Sequence, residues 1–301
     1  MHQNGAGIYV SGTDPALVRN NAIFDNVAKT DQWDAYNWRG GGIYTYSTSV
    51  SLYDNVVSGN YGFITGGIYL DRDGGNAVGN TVYANSSDRG PAGIYTRDGV
   101  VADNWIIRNI GYTIWKYTAV GGFSGGGLLS GNILAANRGK CYGDPGPKPT
   151  HGVEGGAGLL QSGNILWHDT DGYEIVSGGY VEHSLVRGGY SGTNAGPGNI
   201  DSDPEFGASV SGTGARSIYN PVTVRTRLTG LMPPLPPGIY IGFPVAAGGK
   251  RTTVVFNDGD AIEVWGNAGT GTGVSWQILD YTLSAVSPCL DAGTTLGATQ
   301  Q

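Results

Sequence analysis

Along roughly the first two hundred residues, apolar side chains fall neither at helical spacing nor in long runs. They sit in short clusters rich in β-branched and aromatic residues, each bounded by Gly, Asn, Asp or Ser. That patterning predicts short strands joined by tight turns. One polar signature travels with the clusters: Asn, any residue, an aliphatic, any two residues, Asn. It occurs as Asn21-Ile23-Asn26, Asn55-Val57-Asn60, Asn80-Val82-Asn85, Asn104-Ile106-Asn109 and Asn132-Leu134-Asn137. Asn164-Leu166-Asp169 degrades only at its last position, and Ser184-Val186-Gly189 keeps the place of a seventh copy. A second signature precedes the first in each unit, as Gly7-Ile8-Tyr9, Gly42-Ile43-Tyr44, Gly67-Ile68-Tyr69 and Gly93-Ile94-Tyr95. It then fades, leaving Leu128-Leu129 and Leu159-Leu160 as the expected counterparts. The period is that of a repeat with a core of about 20 to 25 residues, and the surplus in each unit must loop out.

A repeat of this length, made of short strands with asparagine at a fixed place, requires successive units to pair in parallel, about 4.8 Å apart. Identical residues then stack. A buried asparagine in such a stack can bond its own turn and the asparagine above, so its amide need not go unsatisfied. By the two-residue period, Ile8, Ile43, Ile68 and Ile94 point inward while Tyr9, Tyr44, Tyr69 and Tyr95 point outward as a ladder.

These patterns resemble the right-handed parallel β-helix superfamily, which includes pectate-lyase-like enzymes and many secreted or surface β-helix repeat proteins of bacteria. The resemblance covers roughly residues 5 to 206. It implies an all-β chain, a right-handed parallel β-helix solenoid of about seven coils; alternating runs beyond residue 206 predict a small antiparallel β subdomain of three or more strands toward the C-terminus. The expected boundaries are 1–206 for the helix, 207–280 for an inserted β subdomain and 281–301 for a closing segment and tail. Asn199 to Phe206 and the distant Asp280 to Leu283 with Ser287 to Gly293 resemble a closing element of bacterial β-helix surface proteins. Between them lie Thr252 to Phe256 and Ala261 to Trp265, separated by Asn257-Asp258-Gly259, a hairpin turn signal.

Composition narrows the classes. Glycine is 54 of 301 residues and charged residues are 14%, but 39% are hydrophobic, enough to build a core rather than a disordered chain. The net charge of -7, with no basic run, argues against nucleic acid as a partner. No apolar stretch is long enough for a membrane helix. Met1 to Gly5 lack the regions of a secretory signal. Either the protein is cytoplasmic or its signal is not in this chain; the resemblance implies an extracellular or cell-surface place. Cys141 and Cys289 are in no metal-ligand spacing and form either one disulfide or two thiols.

Candidate chemistry comes in two sets. Asp71, Arg72, Asp73, Arg97 and Asp98 follow the Gly-Ile-Tyr strands of adjacent units, where stacking brings them within reach of one another. Polysaccharide lyases of this fold use acidic residues for Ca²⁺ or a uronate and an Arg or Lys as base. As Asp-Arg-Asp-Gly-Gly and Arg-Asp-Gly they also read as ordinary turns. The Gly-His-Gly and Arg-Ile-Lys motifs of the fold's glycosidases are absent. The second set is the tyrosine ladder with Trp33, Trp38 and Trp115 on the looped-out segments 29–39 and 112–117, which together could stack on sugar rings. The alternative is that those loops fold back and cover the tyrosines. No cofactor and no metal site are expected, Ca²⁺ entering only with the lyase reading. The chain opens directly in a coil at Gly5, so upstream residues or another subunit must supply a cap, the latter giving end-to-end fibres. The function expected is a structural, adhesive or carbohydrate-binding module that self-assembles, its partners a polysaccharide or other copies of itself; the alternative is a lyase or other carbohydrate-active enzyme on an acidic polysaccharide.

Overall fold

A computed structural model of the chain describes residues 7–28, 39–47, 49–113, 119–141, 150–156, 158–167, 173–176, 179–191, 194–202, 204, 206–223, 225–238, 240, 243–265, 267–283, 285 and 287–289. Among them every regular element is a β-strand. They fall into two compact units, one up to residue 203 and one from Pro204 to residue 290.

In the first unit each repeat pairs in parallel, and in register, with the next. One row runs Ile8–Gly12, Ile43–Ser47, Ile68–Leu70, Ile94–Ala102, Phe123–Ser130, Thr150–Gly155 and Tyr173–Val176. A second runs Ala16–Arg19, Val50–Tyr53, Asn76–Val78, the same two long strands, Leu160–Ser162 and Tyr180–Glu182. Because Ile94–Ala102 and Phe123–Ser130 pass through both rows, the two form a single 12-stranded sheet. A 7-stranded sheet from Ala22–Phe24 to Leu185–Val186 and a 5-stranded one from Val27–Ala28 to Arg138–Cys141 complete the unit. This pairing is consistent with a β-helix-like solenoid.

The inward positions carry the core. Ile43, Ile68, Ile94, Phe123 and Val153 are fully buried, as are Leu52, Ala77, Val101 and Leu129, and Val57, Val82, Ile106, Leu134 and Leu166. Each large aliphatic so buried contributes about 1.5–3 kcal/mol. The counterpart of Gly93-Ile94-Tyr95 is Gly122-Phe123-Ser124 and then Gly152-Val153-Glu154. Leu128-Leu129 instead pairs with Val100-Val101 in the second row, and Leu160 with Leu128, correcting the placement expected from sequence. Tyr112 and Thr113, expected in an excursion, belong to the strand Ile110–Thr113.

Two corners per repeat explain the paired asparagines. The residue before each is left-handed, as at Asp54 (φ 54°), Gly79 (φ 67°) and Asp103 (φ 55°) on one corner and Asp25 (φ 54°), Ala84 (φ 53°) and Arg108 (φ 52°) on the other. From Asp54 through Gly79 and Asp103 to Gly131, aspartate and glycine alternate for a steric reason. A Cβ on Gly79 would lie 2.7 Å from Asp54 Oδ1, and one on Gly131 would lie 2.3 Å from Asp103 Oδ1. Each following asparagine then joins a ladder. Asn55 N–H and Nδ2 both donate to Asn80 Oδ1 at 2.9 Å, and Asn80 N–H and Nδ2 donate to Asn104 Oδ1 at 2.8 and 3.0 Å. The second amide hydrogen reaches a carbonyl, Asn80 Nδ2 bonding Leu52 O at 2.9 Å. A parallel ladder runs through Asn60, Asn85, Asn109 and Asn137. At the far end Asn164 N–H donates to Ser184 Oγ, and Ser184 N–H to Asn199 Oδ1, so a serine and one further asparagine extend the first ladder.

The glycine of each Gly-Ile-Tyr serves close approach rather than positive φ. A Cβ on Gly67 would stand 2.4 Å from Gly93 O, on Gly93 2.3 Å from Gly122 O, and on Gly122 2.4 Å from Gly152 O.

The second unit is a closed antiparallel barrel of Phe206–Asn220, Arg225–Thr229, Ala261–Trp265, Lys250–Asn257, Pro244–Ala247 and Gly271–Leu283. It is the separate antiparallel sheet expected from sequence, with six strands. The Asn257-Asp258-Gly259 hairpin forms, and Trp276 is buried with Leu228, Val245, Ile262 and Ile278. Phe206, at the end of one piece of the expected closing element, pairs with Leu283 of the other within this barrel. Cys289 is half-buried, and the Cys141 side chain lies outside the described residues.

One buried amide stands apart. Gln161 occupies the inward column between Leu129 and Val181, is 1% exposed, and has no partner for either side-chain atom among the described residues. Gln161→Leu is expected to stabilise the protein by about 1–3 kcal/mol, since a buried group without a partner costs that much. Asn80→Ala, which strips partners from Asn55 and Leu52, is expected to destabilise by about 3 kcal/mol, and Asn21→Ala at the exposed start of the ladder by under about 1 kcal/mol. Urea unfolding of the three variants checks the order; equal losses for the two asparagine variants would contradict it.

Candidate functional site

The outward column that begins with the tyrosines runs through all seven strands of its row: Tyr9, Tyr44, Tyr69, Tyr95, Ser124, Glu154 and Val176. Ring centroids of Tyr9 and Tyr44 are 5.4 Å apart at 4°, those of Tyr44 and Tyr69 5.5 Å at 47°, and those of Tyr69 and Tyr95 4.4 Å at 22°. The ladder expected from the two-residue period therefore forms. Its middle is closed, however: Tyr44 is 2% and Tyr69 6% exposed, whereas Tyr9 is 50% exposed and Tyr95 half-buried. Trp33, Trp38 and Trp115 lie outside the described residues.

Asp71 and Arg39 account for part of that closure. Arg39 Nη1 donates to Asp71 Oδ2 at 2.7 Å, the Tyr44 hydroxyl donates to the same oxygen at 2.8 Å, and the Arg39 guanidinium lies 5.4 Å over the Tyr69 ring. Burial first, and then the bond to Asp71, push the Tyr44 hydroxyl well above the usual phenol value. Burial, and then neighbouring Tyr95, do the same for Tyr69, and burial, followed by the bond to Asp88, for Tyr61.

The five charged residues divide into three groups. Asp71 belongs to the ladder's cover. Arg72 lies with its guanidinium 4.0 Å over the Tyr46 ring and bonds the Tyr46 hydroxyl. Asp73, Arg97 and Asp98 stay together, with Arg97 Nε 3.7 Å from Asp73 Oδ1, both side chains exposed. Asp73 sits in a turn as expected, but Arg97 and Asp98 do not. They lie within the strand Ile94–Ala102, where Thr96 pairs with Gly125 and Gly99 with Gly127, so two residues face the single Gly126. This is a β-bulge, which turns both side chains outward beside the ladder's end.

These residues rim an open groove of about 710 Å³, lined by Asp73, Tyr95, Arg97, Asp98, Ser124 and Glu154 over a floor of glycines. Ser124 Oγ lies 3.5 Å from Glu154 Oε2 as its donor. Sequence reasoning missed Ser124 and Glu154, because the Gly-aromatic signature that would have aligned them ends at Tyr95. No group of metal-ligating side chains occurs among the described residues. Asp201 Oδ1 accepts from the Gly188 N–H at 2.9 Å, thirteen residues earlier in the chain. The groove thus offers an aromatic face, carboxylate acceptors and one guanidinium donor. No protein-family model, no curated protein and no solved structure matches the chain.

The hydroxyls of Tyr44, Tyr61 and Tyr69 fix an alkaline limit. An unfolded tyrosine loses its proton near pH ~10, and these do so only at higher pH when folded. Their contribution to stability is therefore complete below about pH 10 and is lost as pH rises beyond it. Tyr44→Phe is expected to cost about 1–2 kcal/mol at neutral pH, one bond to a charged acceptor, and to make the alkaline loss shallower. Thermal unfolding across the alkaline range, with phenolate absorbance, measures both. An unchanged alkaline limb would contradict the assignment.

Proposed function

We propose that this chain is an extracellular or cell-surface β-helix protein of the right-handed parallel type that binds carbohydrate. One observation carries the reading: the stacked tyrosine column ends, half-exposed, at an open groove rimmed by hydrogen-bonding charged side chains. The C–H face of a pyranose packs on an aromatic ring, and its hydroxyls satisfy carboxylate and guanidinium groups in the plane around it. The fold alone supports no function, since one architecture hosts many.

A polysaccharide lyase is the second reading, favoured by the bulge that presents Arg97 and Asp98 at the groove, since bulges re-aim side chains beside active sites. Three carboxylates against one guanidinium among the described lining residues speak against an acidic polysaccharide there, because like charges at a binding surface repel. The structural role rests on Leu17, Phe24 and Val27, which are 64%, 62% and 60% exposed on edge strands of the first described repeat. Such edges favour end-to-end association with a second copy.

Glycan-array screening followed by calorimetry tests the reading. Tyr95→Ala is expected to weaken binding at least about tenfold, ~1.4 kcal/mol, with the fold intact. Release of unsaturated, ultraviolet-absorbing products from polyuronates, lost in Arg97→Ala, would replace binding by the lyase reading. A strictly monomeric particle in electron microscopy and light scattering would remove the assembly.

A further inference from the structure

The outward column has a missing rung. From Tyr9 to Tyr95 each position is filled by a ring, with centroids 4.4 to 5.5 Å apart, close to the ~4.8 Å spacing of neighbouring strands. At the next position stands Ser124, a side chain too small to meet the Tyr95 ring, and beyond it Glu154. The Tyr95 and Tyr69 rings are stacked at 22°, so the second face of Tyr95 looks along the column toward the Ser124 level.

Among the described residues, two floor positions beside Ser124 cannot fill that space. A Cβ at Gly125 would stand 1.8 Å from Thr96 O, and one at Gly127 would stand 2.2 Å from Gly99 O, so both positions are held to glycine. Gly126, Gly155, Gly156 and Gly158 line the same groove. Among the described residues the space is bounded by an aromatic face, a carboxylate and bare backbone.

Charge selects the ring. Among the described residues, Asp73, Asp98 and Glu154 face the groove with a single cation, Arg97, which lies against Asp73. A uronate meets repulsion, and a neutral sugar gains hydrogen bonds only. A sugar with a free ammonium gains charge-assisted bonds to the carboxylates together with attraction to the tyrosine face. Resting on the carbohydrate-binding reading above, we propose that the Ser124 level takes one hexosamine unit with a free amino group. Its C–H face lies on Tyr95, replacing the missing ring, and its ammonium faces Glu154 and Asp98.

Calorimetry with four oligosaccharides of equal length decides the matter: a glucosamine oligomer, its N-acetylated counterpart, a neutral glucose oligomer and a galacturonate oligomer. The free-amine oligomer is expected to bind at least about tenfold more tightly than the other three. That advantage is expected to shrink with added salt and in Glu154→Gln. Ser124→Phe, which supplies the absent ring, is expected to keep or raise Tm while abolishing binding. Equal binding of acetylated and free-amine oligomers would overturn the ligand class and leave the carbohydrate reading standing. Undiminished binding by Ser124→Phe would overturn the location. Failure of every oligosaccharide to bind would sink the carbohydrate reading itself, and this inference with it.

Discussion

The buried asparagine ladders are the constraint on which the first unit depends. An amide taken out of water needs partners for two donors and an acceptor, and here each inner asparagine finds them only if the repeats above and below stand at the same level. All the side-chain amides point the same way, so neighbouring bonds polarise one another. The left-handed residue before each asparagine turns the backbone so that its side chain enters the ladder. Slipping one repeat by one residue would strand several buried amides at once and turn the isoleucine column outward.

In-register stacking has a consequence on the outside as well. Every outward position becomes a column, and the chemistry of the surface is read along columns rather than along the sequence. The column from Tyr9 to Val176 changes from aromatic to small to acidic within three repeats, and the groove lies where it changes. The glycine ladder Gly67, Gly93, Gly122 lets the backbones approach closely enough for the rings to stack. Arg97 and Asp98 reach the groove because one strand carries an extra residue opposite Gly126, an irregularity that a regular column could not supply.

Much of this framework is legible in the sequence because it is periodic. The Asn pattern marks both corners, and the alternation of Ile68 with Tyr69 separates core from surface. What periodicity cannot give is what lies over a surface residue. Tyr44 and Tyr69 point outward as expected yet are buried, through contacts with Arg39 and Asp71 that stand 32 positions apart in the chain. Ser124 and Glu154 were hidden because Phe123 and Val153 replace isoleucine and no tyrosine follows them. Leu128-Leu129 was misplaced since an apolar pair carries no mark of its row. Arg97-Asp98-Gly99 has the composition of a turn, and only pairing with Gly125 and Gly127 distinguishes a bulge from it. The barrel's long strands Phe206–Asn220 and Gly271–Leu283 are broken by glycines and register shifts, which blurs their alternation.

Residue-resolved hydrogen exchange under native conditions tests the central claim, that the amide ladders hold the repeats in register. The backbone amides of Asn55, Asn60, Asn80, Asn85, Asn104 and Asn109 donate to buried asparagine oxygens and should exchange only through global opening, as the slowest set in the first unit. Exchange of these amides at the rate of the exposed turn residue Asp73 would contradict the account.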